Sequence, residues 1–166
     1  TGTISNDDLV ALSINDVTLA EGGQGNNTDF VFTVTLSNPS DAAVTVDFAS
    51  ADGSATIADN DYTAVTGNLS VPAGQTSGTI TVTVLADAKD EATETFLVNL
   101  SNPTGGQDGT PSLADPQGLG TVTDDDNAPN VSINSATITE GDTASFTVTL
   151  DAVSGLPVSL SFATID

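Results

Sequence analysis

The sequence predicts an all-β protein: a seven-stranded antiparallel β-sandwich with immunoglobulin-like Greek-key connections, one complete repeat flanked by partial repeats. Three observations carry this expectation. Apolar and polar residues alternate with a period of two through successive runs, no stretch shows a helical period, and the runs stop at turn chemistry such as Ser37-Asn38-Pro39-Ser40, Asp52-Gly53-Ser54, Pro72-Ala73-Gly74 and Asn102-Pro103-Thr104-Gly105. Several short strands at regular spacing with no intervening helix suit two packed antiparallel sheets.

The first strand is expected over 12–21. Phe30, Phe32, Val34 and Leu36 alternate with Val31, Thr33 and Thr35, which places the second over 30–36. Val44, Val46 and Phe48 mark the third over 44–50, and Leu69 and Val71 the fourth over 66–71. Ile80, Val82 and Val84 give the fifth over 78–86, Phe96, Val98 and Leu100 the sixth over 95–101, and a last run over 118–123 closes the set. The six Phe fall in such runs and read as core. Tyr62, the only Tyr, is expected to tie down a loop through its hydroxyl.

Self-comparison sets the organisation. Ser13-Ile14-Asn15 and Glu21-Gly22 return as Ser132-Ile133-Asn134 and Glu140-Gly141, and the run Phe32 to Leu36 returns as Phe146 to Leu150. Phe48 to Asp52 returns as Phe162 to Asp166, and Gly120 to Asp126 has a near copy in Gly2 to Asp8. Residues 1–8 are therefore expected to be the last strand of a preceding repeat, 9–126 a complete repeat, 127–129 a linker and 130–166 the first strands of a following repeat. The period is domain-sized, too long for a solenoid or propeller unit, so an array of autonomous domains is expected. Two possibilities stay open for the partial repeats: excerpt boundaries within a longer chain, or strands completed by a neighbouring subunit in a filament.

Charge narrows the function. Twenty-three acids face a single base, Lys89, for a formal charge of −22, yet 37% of residues are apolar, so the chain is expected to fold. Nucleic acid and anionic membrane surfaces would repel it. With no Cys, His, Met or Trp, the chain offers no disulfide, no thiolate or imidazole ligand and no His-activated nucleophile. Richness in Thr, Asp, Asn and Gly with almost no Lys or Arg suits a secreted or cell-surface protein. No apolar run is long enough to span a bilayer and no basic leader precedes an apolar one, so an internal segment of a longer chain is expected.

Strand parity locates the acids. In an antiparallel sandwich the first, third, fifth and seventh strands finish at one end, where Glu21, Asp52, Asp87 and Asp124 to Asp126 stand. Loops at that end add Asp29, Asp59, Asp61, Asp90, Glu91 and Glu94, whereas the opposite loops hold only Asp41, Asp108 and Asp115. Crowded carboxylates repel one another, so a cation is expected among them, and an oxygen-only donor set suits Ca²⁺ better than Mg²⁺. A solvated acidic face is the alternative.

The segments Ala51-Asp52-Gly53-Ser54-Ala55 with Asp61-Tyr62, Gly67-Asn68-Leu69 with Pro72 to Thr76, Asp87 to Glu91 with Glu94-Thr95-Phe96 and Leu100 to Pro103, and the closing Thr121 to Asp126 together resemble the Calx-beta domain. The likeness covers the whole repeat. It implies a seven-stranded sandwich that binds several Ca²⁺ ions at one end. The implied ligands are Glu21, Asp52, Asp87, the backbone carbonyl of Lys89, Glu91, Glu94, Asp124, Asp125 and Asp126. Ala86 stands where the exchanger-type domains carry a further acid, so fewer ions than in the exchanger are expected. Asp61 is read chiefly as a structural corner.

The expected function is that of a Ca²⁺-binding structural repeat in an adhesin, matrix or filament protein, with ions stiffening its junctions to neighbouring repeats or subunits. A metal-independent module that binds protein or glycan is the second possibility, although the Tyr, Trp and Arg typical of recognition surfaces are nearly absent. Catalysis is not expected, because the carboxylates crowd one rim without an aromatic platform for sugar.

Overall fold

The computed structural model describes residues 9–106 and 109–165; the strand expected over 1–8 lies outside the described residues, as do Asp108 and Asp166. Nine strands are formed among the described residues of 9–126: β1 (Ala11–Ile14), β2 (Val17–Ala20), β3 (Thr28–Leu36), β4 (Val44–Asp52), β5 (Thr66–Val71), β6 (Ser77–Val84), β7 (Glu94–Gly105), β8 (Ser112–Asp115) and β9 (Gln117–Thr123). One sheet has the order β6-β3-β1-β8 and the other β2-β9-β7-β4-β5. The all-β sandwich expected from periodicity is therefore present, with nine strands in place of seven.

The difference arises at two places. The strand expected over 12–21 divides between the sheets, β1 pairing with β3 and β2 running parallel to β9. Asn15 and Asp16 make the crossing. The Asn15 Oδ1 accepts the Thr33 amide of one sheet at 2.5 Å, and the Asp16 Oδ1 accepts the Leu119 amide of the other at 2.7 Å. Such side-chain bonds to backbone compete with a continuous ladder. Gly118 leaves room for the crossing chain, since a Cβ there would lie 2.8 Å from the Asn15 carbonyl oxygen. The additional strand, β8, pairs parallel with β1 and is only four residues long, with its apolar residues Leu113 and Ala114 adjacent, so alternation does not reveal it.

Expected boundaries also move, among them the ends of β6 and β7. β6 ends at Val84 because the Leu85 amide turns to the Asp61 carbonyl and the Ala86 amide to Asn27 Oδ1. The expected turn Asn102-Pro103-Thr104-Gly105 is instead the irregular end of β7, still paired with β4 through Thr104↔Thr45 and Gly105↔Val44. Asn102 takes φ 49° there and donates to Asp47, which also accepts from Asn68. These two amides hold the Asp47 carboxyl below its ordinary pKa.

Alternating residues of both sheets meet in one core. Phe96 of β7 stands at its centre, with ring centroids 5.5 Å from Phe30, 6.0 Å from Phe32 and 4.8 Å from Tyr62, the last nearly parallel at 17°. Gly120 on β9 lies over this ring, where any Cβ would collide with it. Fully burying such side chains contributes about 1.5–3 kcal/mol each.

Residues 127–130 carry no regular structure. Beyond them β10 (Val131–Ile133) and β11 (Val148–Leu150) form an antiparallel pair. An open apolar groove of about 550 Å³ lies along it, lined by Ile133, Phe146, Val148, Leu160, Phe162 and Ile165. Phe146 and Phe162 lie outside strands and are exposed, so the expectation that every Phe is core fails for these two. Their segment has no second sheet across it among the described residues.

Candidate metal centre

The rim is assembled where β2 and β9 run out side by side. Their parallel pairing reaches Ala20↔Thr123 and continues as the Glu21 amide bonds the Thr123 carbonyl at 3.1 Å. Glu21 and Asp124 therefore leave the sheet together. The Glu21 carbonyl accepts the Thr28 hydroxyl at 2.6 Å, and Gly22, at φ 96°, reverses the chain, so the Glu21 side chain stays buried. The 85–93 loop closes the other side. In it Asp87 Oδ1 accepts the Lys89 amide at 2.8 Å, a tight turn that brings Glu91 back toward the rim.

Two groups of oxygens result, and Glu21 belongs to both. Carboxylate oxygens of Glu21, Asp124 and Asp126 lie within 4.8 Å of one another, and so do those of Glu21, Asp87 and Glu91. Glu21 Oε1, Asp124 Oδ1 and Asp126 Oδ2 are shielded from solvent and have no hydrogen-bond donor. A buried carboxylate oxygen without a donor is costly. Burial first, then the charges of Asp87, Asp126 and Asp124, pushes the Glu21 pKa up to about 8. The only base of the chain answers one charge: the Lys89 ammonium pairs with Glu91, which raises the Lys89 pKa.

The remaining expected ligands join neither group. Glu94, at the start of β7, has its pKa pushed up to about 7 by burial, then by Asp61 and Glu91. Asp52 is exposed, and its Oδ1 accepts the Tyr62 hydroxyl at 2.7 Å and the Ile57 amide at 3.2 Å. Tyr62 thus ties its loop to an expected ligand, and burial with this bond raises its pKa to about 12. Asp61 Oδ2 accepts the Thr56 amide at 2.6 Å, the corner expected of it. Asp125 is exposed and joins neither group. Asp29, expected in a rim loop, lies in β3 and accepts the Thr83 hydroxyl.

This donor set is all oxygen and dense in negative charge. It fits a hard divalent cation, which would supply the missing partners of the three shielded oxygens and relieve their mutual repulsion. Spacing in the sequence could not distinguish Asp126 from Asp125; only the turn after β9 decides which carboxylate faces inward.

Known structures share the architecture. The apo-form Calx CBD1 domain matches with a TM-score of 0.60 and 24% identity, covering 72% of this chain and 100% of that one. CBD12 from CALX1.2 gives 0.60 and 23% over 76% of this chain, and the calcium binding domain CBD12 of CALX1.1 gives 0.58 and 22% over 75%. The matches span 48% and 50% of those two chains. At such identities the likeness is one of fold. No curated protein sequence matches. The model of the Calx-beta domain matches residues 23–128, well over half of the chain, and the protein belongs to the Calx-beta domain family.

Proposed function

We propose that the protein is a Ca²⁺-binding structural repeat of a large secreted or cell-surface adhesin, matrix or filament protein, in which ions at the rim stiffen the junction to the next repeat. The observation that carries this reading is the set of three shielded carboxylate oxygens without donors on Glu21, Asp124 and Asp126, adjoining Asp87 and Glu91. These five side chains and the Lys89 carbonyl would hold the ions, with Asp52, Glu94 and Asp125 as outer ligands. Ca²⁺ takes about 6–8 oxygens and tolerates irregular geometry, which suits such a set. Bound there, the ion supplies positive charge and nothing else; the chain contributes position. The membership of this chain in a family whose structures include a calcium binding domain supports the choice of ion. Its acidic composition and lack of Cys support the location.

Neutralising the rim favours the folded state by mass action. At a free Ca²⁺ concentration about 100 times Kd the gain is about 2.7 kcal/mol. For a chain of this size that raises Tm by roughly 5–10 °C. Calorimetric titration and thermal melts in Ca²⁺ and in chelator test this directly; absence of both binding heat and a Tm shift defeats the proposal.

A further inference from the structure

Among the described residues, the hydrogen bonds between the segment after residue 130 and residues 9–126 are made at the rim loop. Asp90 and Ser154 form a parallel β-bridge, and the Gly155 amide donates to the Asp90 carbonyl at 2.9 Å. The Ser154 hydroxyl lies 3.3 Å from Asp90 Oδ2 and 3.0 Å from the Leu156 carbonyl, which share its single proton, while its oxygen accepts the Leu156 amide at 3.1 Å. The turn 151–155 is thus held internally and laid against the backbone between Lys89 and Glu91. Asp90 itself belongs to neither oxygen group of the rim.

Gly155 fits this place because it has no side chain. A Cβ there would lie 2.9 Å from Lys89 Cε and 3.0 Å from Glu91 Oε1. Both are ends of flexible side chains, so a larger residue would displace them without breaking the backbone. Glu91 is the ligand that would move. The corresponding residues of the complete repeat, by the spacing that relates Phe146 to Phe32, are Ser40 and Asp41. Asp41 in the place of Gly155 would set a carboxylate against Glu91, so the two turns are not interchangeable at this junction.

We propose that the Ser154–Gly155 turn is a docking element for the 89–91 loop and is energetically coupled to the ion site: a docked turn fixes Glu91 for ligation, and a filled site holds the turn. The proposal rests on the Ca²⁺-binding function proposed above. Coupling is reciprocal, so it has two readouts on the same 166-residue chain. Hydrogen exchange of the Gly155 amide should slow at least about fivefold when Ca²⁺ is added, because its partner is the Asp90 carbonyl. Gly155→Val should weaken Ca²⁺ binding by about fivefold or more in a calorimetric titration, and Ser154→Ala should weaken it in the same direction. Because the turn lies outside the core of the complete repeat, melts in chelator should be the same for variants and parent. If the parent chain binds Ca²⁺ while Gly155 exchange and the affinities of both variants stay unchanged, the coupling is refuted and the ion site stands. If the parent chain binds no Ca²⁺, the site and the coupling fall together.

Discussion

Residues 9–126 and the segment after them carry a similar sequence pattern and meet different fates. Ile14, Phe32 and Val34 are 3%, 0% and 0% exposed, whereas their counterparts Ile133, Phe146 and Val148 are 62%, 58% and 42% exposed. The side chains are the same in all three pairs. What differs is the second sheet: Phe96, Val98 and Val122 of β7 and β9 cover the first set, and nothing comparable faces the second among the described residues. Glu21 and Glu140 repeat the lesson in charge. Glu21 is buried among Asp87, Asp124 and Asp126, while Glu140 is exposed. Local pattern specifies a strand, and burial or charge crowding comes from what the fold sets opposite.

The sharpest way to break this comparison is to remove one ring from each region. Phe96→Ala deletes the ring at the centre of the aromatic cluster and is expected to cost about 3–5 kcal/mol in urea denaturation. Phe162→Ala removes a side chain that is 89% exposed and should change stability by less than about 0.5 kcal/mol. Equal losses would mean that the segment has a packed core of its own.

A smaller effect is expected from filling space. Gly120→Ala puts a methyl group against the Phe96 ring in the closed sandwich and should destabilise it by about 1–3 kcal/mol, measured as a lowered urea midpoint. A neutral result would show that β7 and β9 slide past each other more easily than a packed interior allows.

Another effect concerns charge, and its sign follows from Glu21. The folded pKa near 8 lies above the ordinary carboxyl value, so between the two the folded chain holds more protons than the unfolded one. In chelator, therefore, stability should fall as pH rises from about 5 to about 8. Glu94, pushed up to about 7, adds to the same trend. Saturating Ca²⁺ should flatten or invert it, since the cation stabilises the charged form. Glu21→Gln should lessen the slope in chelator and Glu140→Gln should not; identical slopes for the two variants in pH-dependent melts would contradict the inferred crowding.

Much of this was legible in the residues. Alternation located strands in which every second residue is buried: Phe30, Phe32, Val34 and Leu36, then Ile80, Val82 and Val84, then Phe96, Val98 and Leu100. Parity placed Glu21, Asp87 and Asp124 at one end before any pairing was known, because strand direction alternates with count. It withstood the division of the first strand, since β2 keeps its direction and pairs parallel with β9. The turns were less legible. Asn102 to Gly105 has turn composition yet stays in β7, where Asp47 and its amide partners stabilise the irregular backbone.

By itself the sequence determined the strand periods, the kinship of the two segments and the end to which the acids go, because these depend on neighbours along the chain. Tertiary structure alone decided which acids meet. Asp52 turned to Tyr62, Asp125 faced solvent, and Asp126 joined Glu21 because oxygens within 4.8 Å are a property of loops brought together from distant strands. The same holds for the crossing at Asn15 and Asp16 and for the docking of Gly155 on Asp90. Each is fixed by hydrogen bonds between residues far apart in sequence, and a period of two carries no information about such partners.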